Sequence, residues 1–149
     1  PYTTVFRSPA ISKYSSMVYR LSQIYFDEQL APYHIGCGQQ FFLLHIYRHP
    51  GINQYELAYQ DHYDKGTTAR AVKKLEEQGY VLRRSDEHDR RITKLYVTKK
   101  GEAIVDMINQ VLADWHAIIT DGLSDEECEV TARLMGRVAA NAAAFVKKK

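Results

Sequence analysis

The hydrophobic pattern changes from a helical to an alternating period between residues 53 and 98, and this change constrains the fold more than any other feature of the chain. Asn53 followed by Glu56 three residues later is typical of a helix start with a capping box. After a turn of about three residues, a second helix is predicted from Asp64, and Gly79 is suited to end it. Its predicted inward-facing stripe consists of Thr68, Ala71, Val72 and Leu75.

Two segments after this helix alternate in the manner of β-strands, residues 81–84 and 92–98. In the second segment, Thr93, Leu95 and Val97 share one face. The polar stretch "SDEHDRR" between them is the predicted tip of a hairpin. Two short helices joined by a tight turn and followed by a β-hairpin predict a winged helix-turn-helix, in which the hairpin is the wing.

A long helix is predicted before this unit, over residues 8–31, with Ser8 and Pro9 as its cap and first-turn pair. One face of it is apolar and consists of Ile11, Tyr14, Val18, Leu21 and Tyr25. The break "HIGCG" follows, and then a strongly apolar helix that begins at residue 39 and ends at Pro50 and Gly51.

Two further helices are predicted after the hairpin, and Ser124 with Glu127 forms a capping box for the last one. The first has a long apolar stripe formed by Ile104, Ile108, Val111, Trp115 and Ile118. We therefore predict a mainly α fold with a small β-hairpin (α+β). It is a single protomer over residues 1–149, with a winged-helix part at 39–98 and flanking dimerisation helices at 8–31 and 100–147.

The charge of the chain is unevenly distributed. The net charge is only +2, but residues 65–100 have a local charge of +6 and the remaining residues a charge of −4. A basic segment in an otherwise acidic chain indicates a polyanionic partner, although a solvated surface without a partner is the alternative. No apolar run approaches the roughly 20 residues needed to span a bilayer. Two cysteines make no disulfide framework, which favours a reducing, cytoplasmic location.

The second helix of a helix-turn-helix enters the major groove of DNA. Its predicted exposed side carries Lys65, Thr67, Arg70, Lys73 and Lys74. Arg70 is the best candidate for a guanine edge, because a guanidinium can bond to guanine in a bidentate manner. Thr67 could bond to a base or a phosphate, and the lysines are better suited to phosphates. A solubilising surface helix is the alternative.

The stretch "EHDRRITKLYVTKKG", residues 87–101, resembles the signature of the MarR (multiple antibiotic resistance regulator) family. That pattern is Asp-x-Arg, three residues, an apolar position, any residue, an apolar position, Thr, and Gly three residues later. The chain matches it from Asp89 to Gly101. "INQYELA" and "TTARAVKKLEEQGYVLRR" resemble the family's first helix-turn-helix element, and its recognition helix with the following strand. The resemblance covers about residues 39–101.

The resemblance implies a homodimer with interlocking terminal helices that binds a pseudo-palindromic operator in double-stranded DNA. The leading hypothesis is a ligand-responsive transcription regulator that acts as a repressor. The resemblance also implies that Arg91 enters the minor groove, that Asp89 orients Arg91, and that Arg90 lies near the backbone. The predicted DNA-contacting residues are Gln54, Lys65, Thr67, Arg70, Lys73, Lys74, Arg84, Asp89, Arg90, Arg91 and Lys94. Gly66 and Ala69 depart from the polar residues common in the family, which predicts an unusual operator sequence.

The resemblance also implies a small aromatic or phenolic effector. Candidate pocket residues are Tyr14, Tyr19, Tyr33, His34, His45 and Trp115, and ordinary packing is the alternative for each of them. We predict that Cys37 is a buried, inert thiol rather than a peroxide sensor. No metal site or cofactor is predicted, because the histidines and Cys37 lack ligand-type spacing on a helix.

Two other classes of function fit the sequence less well than a DNA-binding regulator. A winged-helix module that binds proteins instead of DNA would not need the +6 charge of residues 65–100. An enzyme is disfavoured because the chain has no Ser/His/Asp order, no glycine-rich phosphate loop and no metal-ligand pair at useful spacing.

Overall fold

The computed structural model of the chain describes residues 10–147, so the predicted cap at Ser8 and Pro9 lies outside the described residues. The described elements are α1 (Ala10–Leu30), a short 3-10 turn (Ala31–Tyr33), α2 (Gln39–Arg48), α3 (Gln54–Gln60), α4 (Lys65–Glu77), β1 (Val81–Ser85), β2 (Thr93–Val97), α5 (Lys99–Ile119) and α6 (Asp125–Lys147). The mainly α fold with one small antiparallel hairpin is thus confirmed. Within residues 10–147, none of the helices combines the length and the hydropathy that a membrane span requires.

The chain forms two compact units, one reaching to Val111 and the other starting at Leu112, so the boundary falls inside α5. The core of the first unit is built around α2, which packs against α3, α4 and β2. Its fully buried side chains include Leu43 and Ile46 of α2, Leu57 of α3, Val72 and Leu75 of α4, Leu95 of β2 and Ile108 of α5. The predicted inward stripe of α4 is buried at all four positions.

The helix-turn-helix is held by local caps and by one contact from α2. The Glu56 amide donates to Asn53 Oδ1 at 2.8 Å and the Asn53 amide to Glu56 Oε2 at 3.3 Å, which confirms the predicted capping box. His62 lies in the turn with φ of 58°, a left-handed conformation that glycine more often adopts. His45 of α2 reaches this turn, since its Nδ1 lies 2.9 Å from Asp61 Oδ2.

The hairpin is antiparallel, with Val81 opposite Val97 and Ser85 opposite Thr93. Ile52 adds a bridge on the other edge of β2, because the Leu95 amide donates to the Ile52 carbonyl at 2.9 Å. The predicted start of β1 at Val81 is correct, and the other three strand limits each differ by one residue. Ile92 is in the tip, where its amide donates to the Asp89 carbonyl at 3.0 Å, and Thr98 is outside β2 because it caps α5.

The junction of β2 and α5 explains the Thr and Gly of the sequence signature. Thr98 Oγ1 donates to the Gly79 carbonyl at 2.6 Å and accepts from the Gly101 amide at 3.1 Å. Gly101 is buried directly against the Tyr80 carbonyl, and a Cβ there would lie 2.4 Å from that oxygen. Because Thr98 and Gly101 are three residues apart, the residue that caps α5 and the glycine that contacts the Tyr80 carbonyl lie on the same helical turn.

Several predicted apolar stripes are exposed in the protomer. On α1, Ile11, Tyr14, Val18 and Leu21 are exposed, and Phe26 and Leu30 are the buried residues. On α5, Ile118 is 55% exposed, whereas Val105, which is outside the predicted stripe, is buried. No described residue of α6 is buried. The Ser124–Glu127 capping box is confirmed by reciprocal hydrogen bonds of 3.1 Å.

Gln40, in the first turn of α2, is fully buried, and neither Oε1 nor Nε2 has a hydrogen-bond partner among the residues that the structure describes. An enclosed polar group without a partner costs about 1–3 kcal/mol. We therefore expect Gln40→Met to raise the free energy of unfolding by about 1–2 kcal/mol in urea titrations. Gln39→Met, the same change at the neighbouring buried position, is the control. A loss of stability in Gln40→Met alone would contradict the expectation.

Candidate nucleic-acid interface

The start of α4 is tied together by Asp64 and Thr67. Asp64 Oδ1 accepts from the Thr67 amide at 2.8 Å, and Thr67 Oγ1 donates to Asp64 Oδ2. These two hydrogen bonds lower the pKa of the Asp64 carboxyl, and the bond from the Thr67 hydroxyl has the larger effect. Thr67 Oγ1 also accepts from Arg70 Nη2 at 3.3 Å. The hydroxyl proton of Thr67 is therefore engaged in the helix cap, which leaves an oxygen lone pair as its free bonding capacity.

Gly66 provides room for Arg70. The Arg70 guanidinium lies over it, so that a Cβ on residue 66 would be 3.1 Å from Arg70 Nη1. Arg70, Lys65, Lys73 and Lys74 are all exposed, as the sequence predicts. The Lys65 ammonium lies 6.0 Å from the centre of the Tyr55 ring. The cations of α4 thus share one solvent-facing side, opposite the buried stripe.

The wing presents one strongly exposed, oriented cation. The side chain of Arg91 is 90% exposed, and its Nε and Nη2 donate to the two carboxylate oxygens of Asp89 at 3.0 and 3.1 Å. The Arg91 amide also donates to Asp89 Oδ1 at 3.0 Å. The Arg91 side chain, and then its backbone, lowers the pKa of the Asp89 carboxyl. Arg90 is exposed beside them.

Other cations of the wing are paired within the protein. Lys94 Nζ lies 3.0 Å from Asp86 Oδ2, and Asp86 raises the pKa of Lys94. The Arg84 guanidinium lies 5.9 Å from the centre of the Tyr96 ring, and Arg83 bonds to Glu76 of α4. Arg84 and Lys94 of the predicted DNA-contacting set are therefore held against neighbouring side chains, whereas Arg91 extends from the wing tip.

A groove of about 360 Å³ runs between the start of α3 and the wing. Its lining residues are Asn53, Gln54, Tyr55, Arg83, Arg91, Ile92 and Thr93. Gln54 Oε1 is enclosed and has no hydrogen-bond partner among the described residues. Of these residues, only Gln54 and Arg91 were in the predicted set. In the sequence the others belong to a helix start or to the two hairpin segments, and neither pattern identifies a groove.

The residues proposed for an effector pocket lie in different settings. Tyr14 and Tyr19 are exposed on α1, and His34 is exposed just after the 3-10 turn. The Tyr33 carbonyl accepts from the Tyr80 hydroxyl at 2.7 Å. His45 lies against Asp61 and Gln60. Trp115 belongs to the second compact unit.

The prediction of a buried Cys37 is wrong, because the residue is exposed. It lies between Gly36 and Gly38 with φ of 54°, and its amide donates to Asp27 Oδ1 at 3.0 Å. This left-handed turn brings the loop to the surface, so the thiol meets solvent. Within residues 10–147, no three His, Cys, Asp or Glu side chains form a group that could hold a metal ion.

Comparisons with known proteins agree with this architecture. Residues 38–93 match the family model described as the MarR family. The uncharacterized HTH-type transcriptional regulator YybA of Bacillus subtilis strain 168 is 36% identical over 104 residues, which are 70% of this chain and 69% of the relative. A MarR transcriptional regulator from Methanosarcina mazei Go1 is 37% identical with a TM-score of 0.82, and the match covers 91% of this chain and 99% of that structure. A mutant MarR from E. coli, solved with operator DNA, is 25% identical with a TM-score of 0.78, over 87% of this chain and 93% of that one.

Proposed function

Because this chain belongs to the MarR family of transcription regulators, we propose that it binds a pseudo-palindromic operator in double-stranded DNA as a homodimer and represses transcription. The family consists of transcription regulators, so the chain is not an enzyme. The proposal is supported by the mutant MarR that was solved with operator DNA and by the charge of the helix and wing. The likeness of this chain to a structure with bound operator DNA favours DNA binding over the function of a protein-interaction module.

The observation that carries the proposal is the Asp89–Arg91 pair. The Arg91 guanidinium is 90% exposed and is oriented by the Asp89 carboxylate, so it extends from the wing tip. The narrow minor groove has an enhanced negative potential that attracts arginine. Arg91 would enter this groove, while Arg70 and the lysines of α4 face the major groove and its phosphates.

The exposed apolar stripes support the homodimer, because long helices of a soluble protein cover their apolar faces. In the dimer, α1 and α6 would meet the same helices of a second copy. A pseudo-palindromic operator follows, since each protomer presents one recognition helix to one half-site. We further propose that the protein acts in the cytoplasm and that an aromatic or phenolic effector modulates its binding.

The proposal is tested by measuring the binding of the full chain to a fluorescent duplex from its own upstream DNA. We expect a Kd that rises steeply with salt, because neutralised phosphates release counterions. Arg91→Ala should raise the Kd about tenfold and lower the salt slope by about two, because each protomer of the dimer loses one cation at the DNA.

Arg48→Ala removes an exposed arginine outside α4 and the wing and is the matched control, with little change expected. A folded wild-type dimer that fails to bind at low salt would sink the DNA-binding function. Equal effects of the two substitutions would contradict the role of Arg91.

A further inference from the structure

The wing tip contains a second acid, Asp86, whose carboxylate joins the backbone of the turn to strand β2. Asp86 Oδ1 accepts from the backbone amides of His88 at 2.7 Å and Asp89 at 3.2 Å. The Asp86 amide donates to the Ile92 carbonyl at 2.9 Å, which closes the tip across its base. An aspartate that bonds to amides two and three residues later fixes the backbone of a turn. The conformation of residues 86–89 therefore depends on this carboxylate.

The other oxygen of Asp86 attaches the tip to β2. Asp86 Oδ2 lies 3.0 Å from Lys94 Nζ, and the Asp86 side chain is only 16% exposed. Lys94 is held by the strand pairing, where it lies opposite Arg84. The His88 amide, and then Lys94, lowers the pKa of the Asp86 carboxyl. The carboxylate thus bonds to the turn with one oxygen and to the strand with the other.

Asp89 connects Asp86 to the exposed Arg91. Its amide is held by Asp86, and its carboxylate accepts from the amide and the guanidinium of Arg91. Because the Arg91 side chain is 90% exposed, its direction follows that of Asp89. The chain of contacts runs from Lys94 through Asp86 and the backbone of Asp89 to Arg91.

We propose that Asp86 is a positioning residue for DNA binding, which acts through Asp89 to orient Arg91, and that Lys94 is its anchor rather than a phosphate contact. The inference rests on the proposed function. It gives the acids of the wing a definite role: Asp89 holds the arginine and Asp86 holds Asp89. Glu87, the third acid of the tip, is exposed and belongs to neither contact.

The sign of the effect distinguishes positioning from simple electrostatics. Removing an acid near DNA should strengthen binding if only charge matters, because the phosphates repel it. We expect Glu87→Ala to leave the Kd unchanged or lower it, and Asp86→Ala to raise it roughly tenfold. Asp86→Asn should be intermediate, since its amide oxygen can still accept from the two backbone amides but lacks the charge that holds Lys94.

The test is a double-mutant cycle with the same fluorescent duplex, with each variant first checked for its unfolding midpoint. In the Arg91→Ala background, Asp86→Ala should add less than about a twofold change, because the group that it positions is gone. The salt slope of Asp86→Ala should match that of Arg91→Ala.

Three results would overturn the inference: a Kd of Asp86→Ala at or below that of Glu87→Ala, a full tenfold loss that persists without Arg91, or a wild-type chain that binds no DNA. The first two leave the proposed function intact, since wild type still binds and Arg91→Ala still weakens it. The third overturns both.

Discussion

Gly101→Ala is expected to lower the free energy of unfolding by about 3 kcal/mol, toward the upper end of overpacking costs in a core. The added methyl group would lie 2.4 Å from the Tyr80 carbonyl oxygen and 2.6 Å from Val97 Cγ1. Backbone cannot rotate away as a flexible side chain can. The same carbonyl accepts from the Thr98 amide at 3.0 Å, so its displacement also strains the junction of the wing with α5. A fall in Tm of roughly 6–12 °C should be seen by circular dichroism.

Gly136→Ala is the control for this experiment. Gly136 lies inside α6, and a Cβ there meets no atom within 4 Å in the described chain. Alanine in a helix interior is favoured over glycine by about 0.5–1 kcal/mol, so this variant should be equally stable or slightly more stable. Equal Tm values for the two variants would contradict the steric conflict expected at Gly101.

The local chemistry of the helix starts was predictable from the sequence. The Asn53–Glu56 and Ser124–Glu127 boxes need only residues three apart, and both pairs bond as predicted. The buried stripe of α4 follows equally from a period of 3.6 residues. The winged-helix prediction was correct because every step in it depended on neighbours in the chain.

Burial that depends on distant parts of the chain was not predictable. Cys37 is exposed in a left-handed turn whose amide bonds to Asp27 of α1, whereas the expectation of a buried thiol rested on the residue type alone. The alternation after Arg91 could not show that Ile92 belongs to the tip, since this depends on the hydrogen bonds of Asp86 and Asp89. Helix period alone also cannot show which apolar residues of α5 the protomer buries.

The candidate interface shows the same division. The exposure of the α4 cations was predicted from helical spacing, and the Asp89–Arg91 pair was implied by the family resemblance. Their role in DNA binding stays a prediction. The pairing of Lys94 with Asp86 required the register of the hairpin, and the bond between Arg83 and Glu76 required the packing of β1 on α4. Counting charges therefore overstated how many wing cations are free to meet phosphate.

Leu134→Asp is expected to convert the proposed homodimer into monomers and to weaken operator binding at least 100-fold. Val130, Leu134 and Val138 recur every fourth residue on α6 and are exposed by 37–44%, so they form a stripe that only another surface can cover. An unpaired carboxylate placed in a covered apolar interface costs several kcal/mol. Two linked half-sites typically gain 10²–10⁴ in avidity, and the monomer would lose this gain.

Sedimentation velocity at micromolar protein and the fluorescent-duplex titration measure the two effects on the same sample. Ala132→Asp is the matched control, because residue 132 is exposed and lies about 200° around α6 from Leu134. It introduces the same charge into the same helix, so a shared loss of helix stability would affect both variants. A Leu134→Asp protein that sediments as a dimer would contradict a role for this stripe in assembly. A monomer that still binds the duplex tightly would instead contradict the requirement for two half-sites.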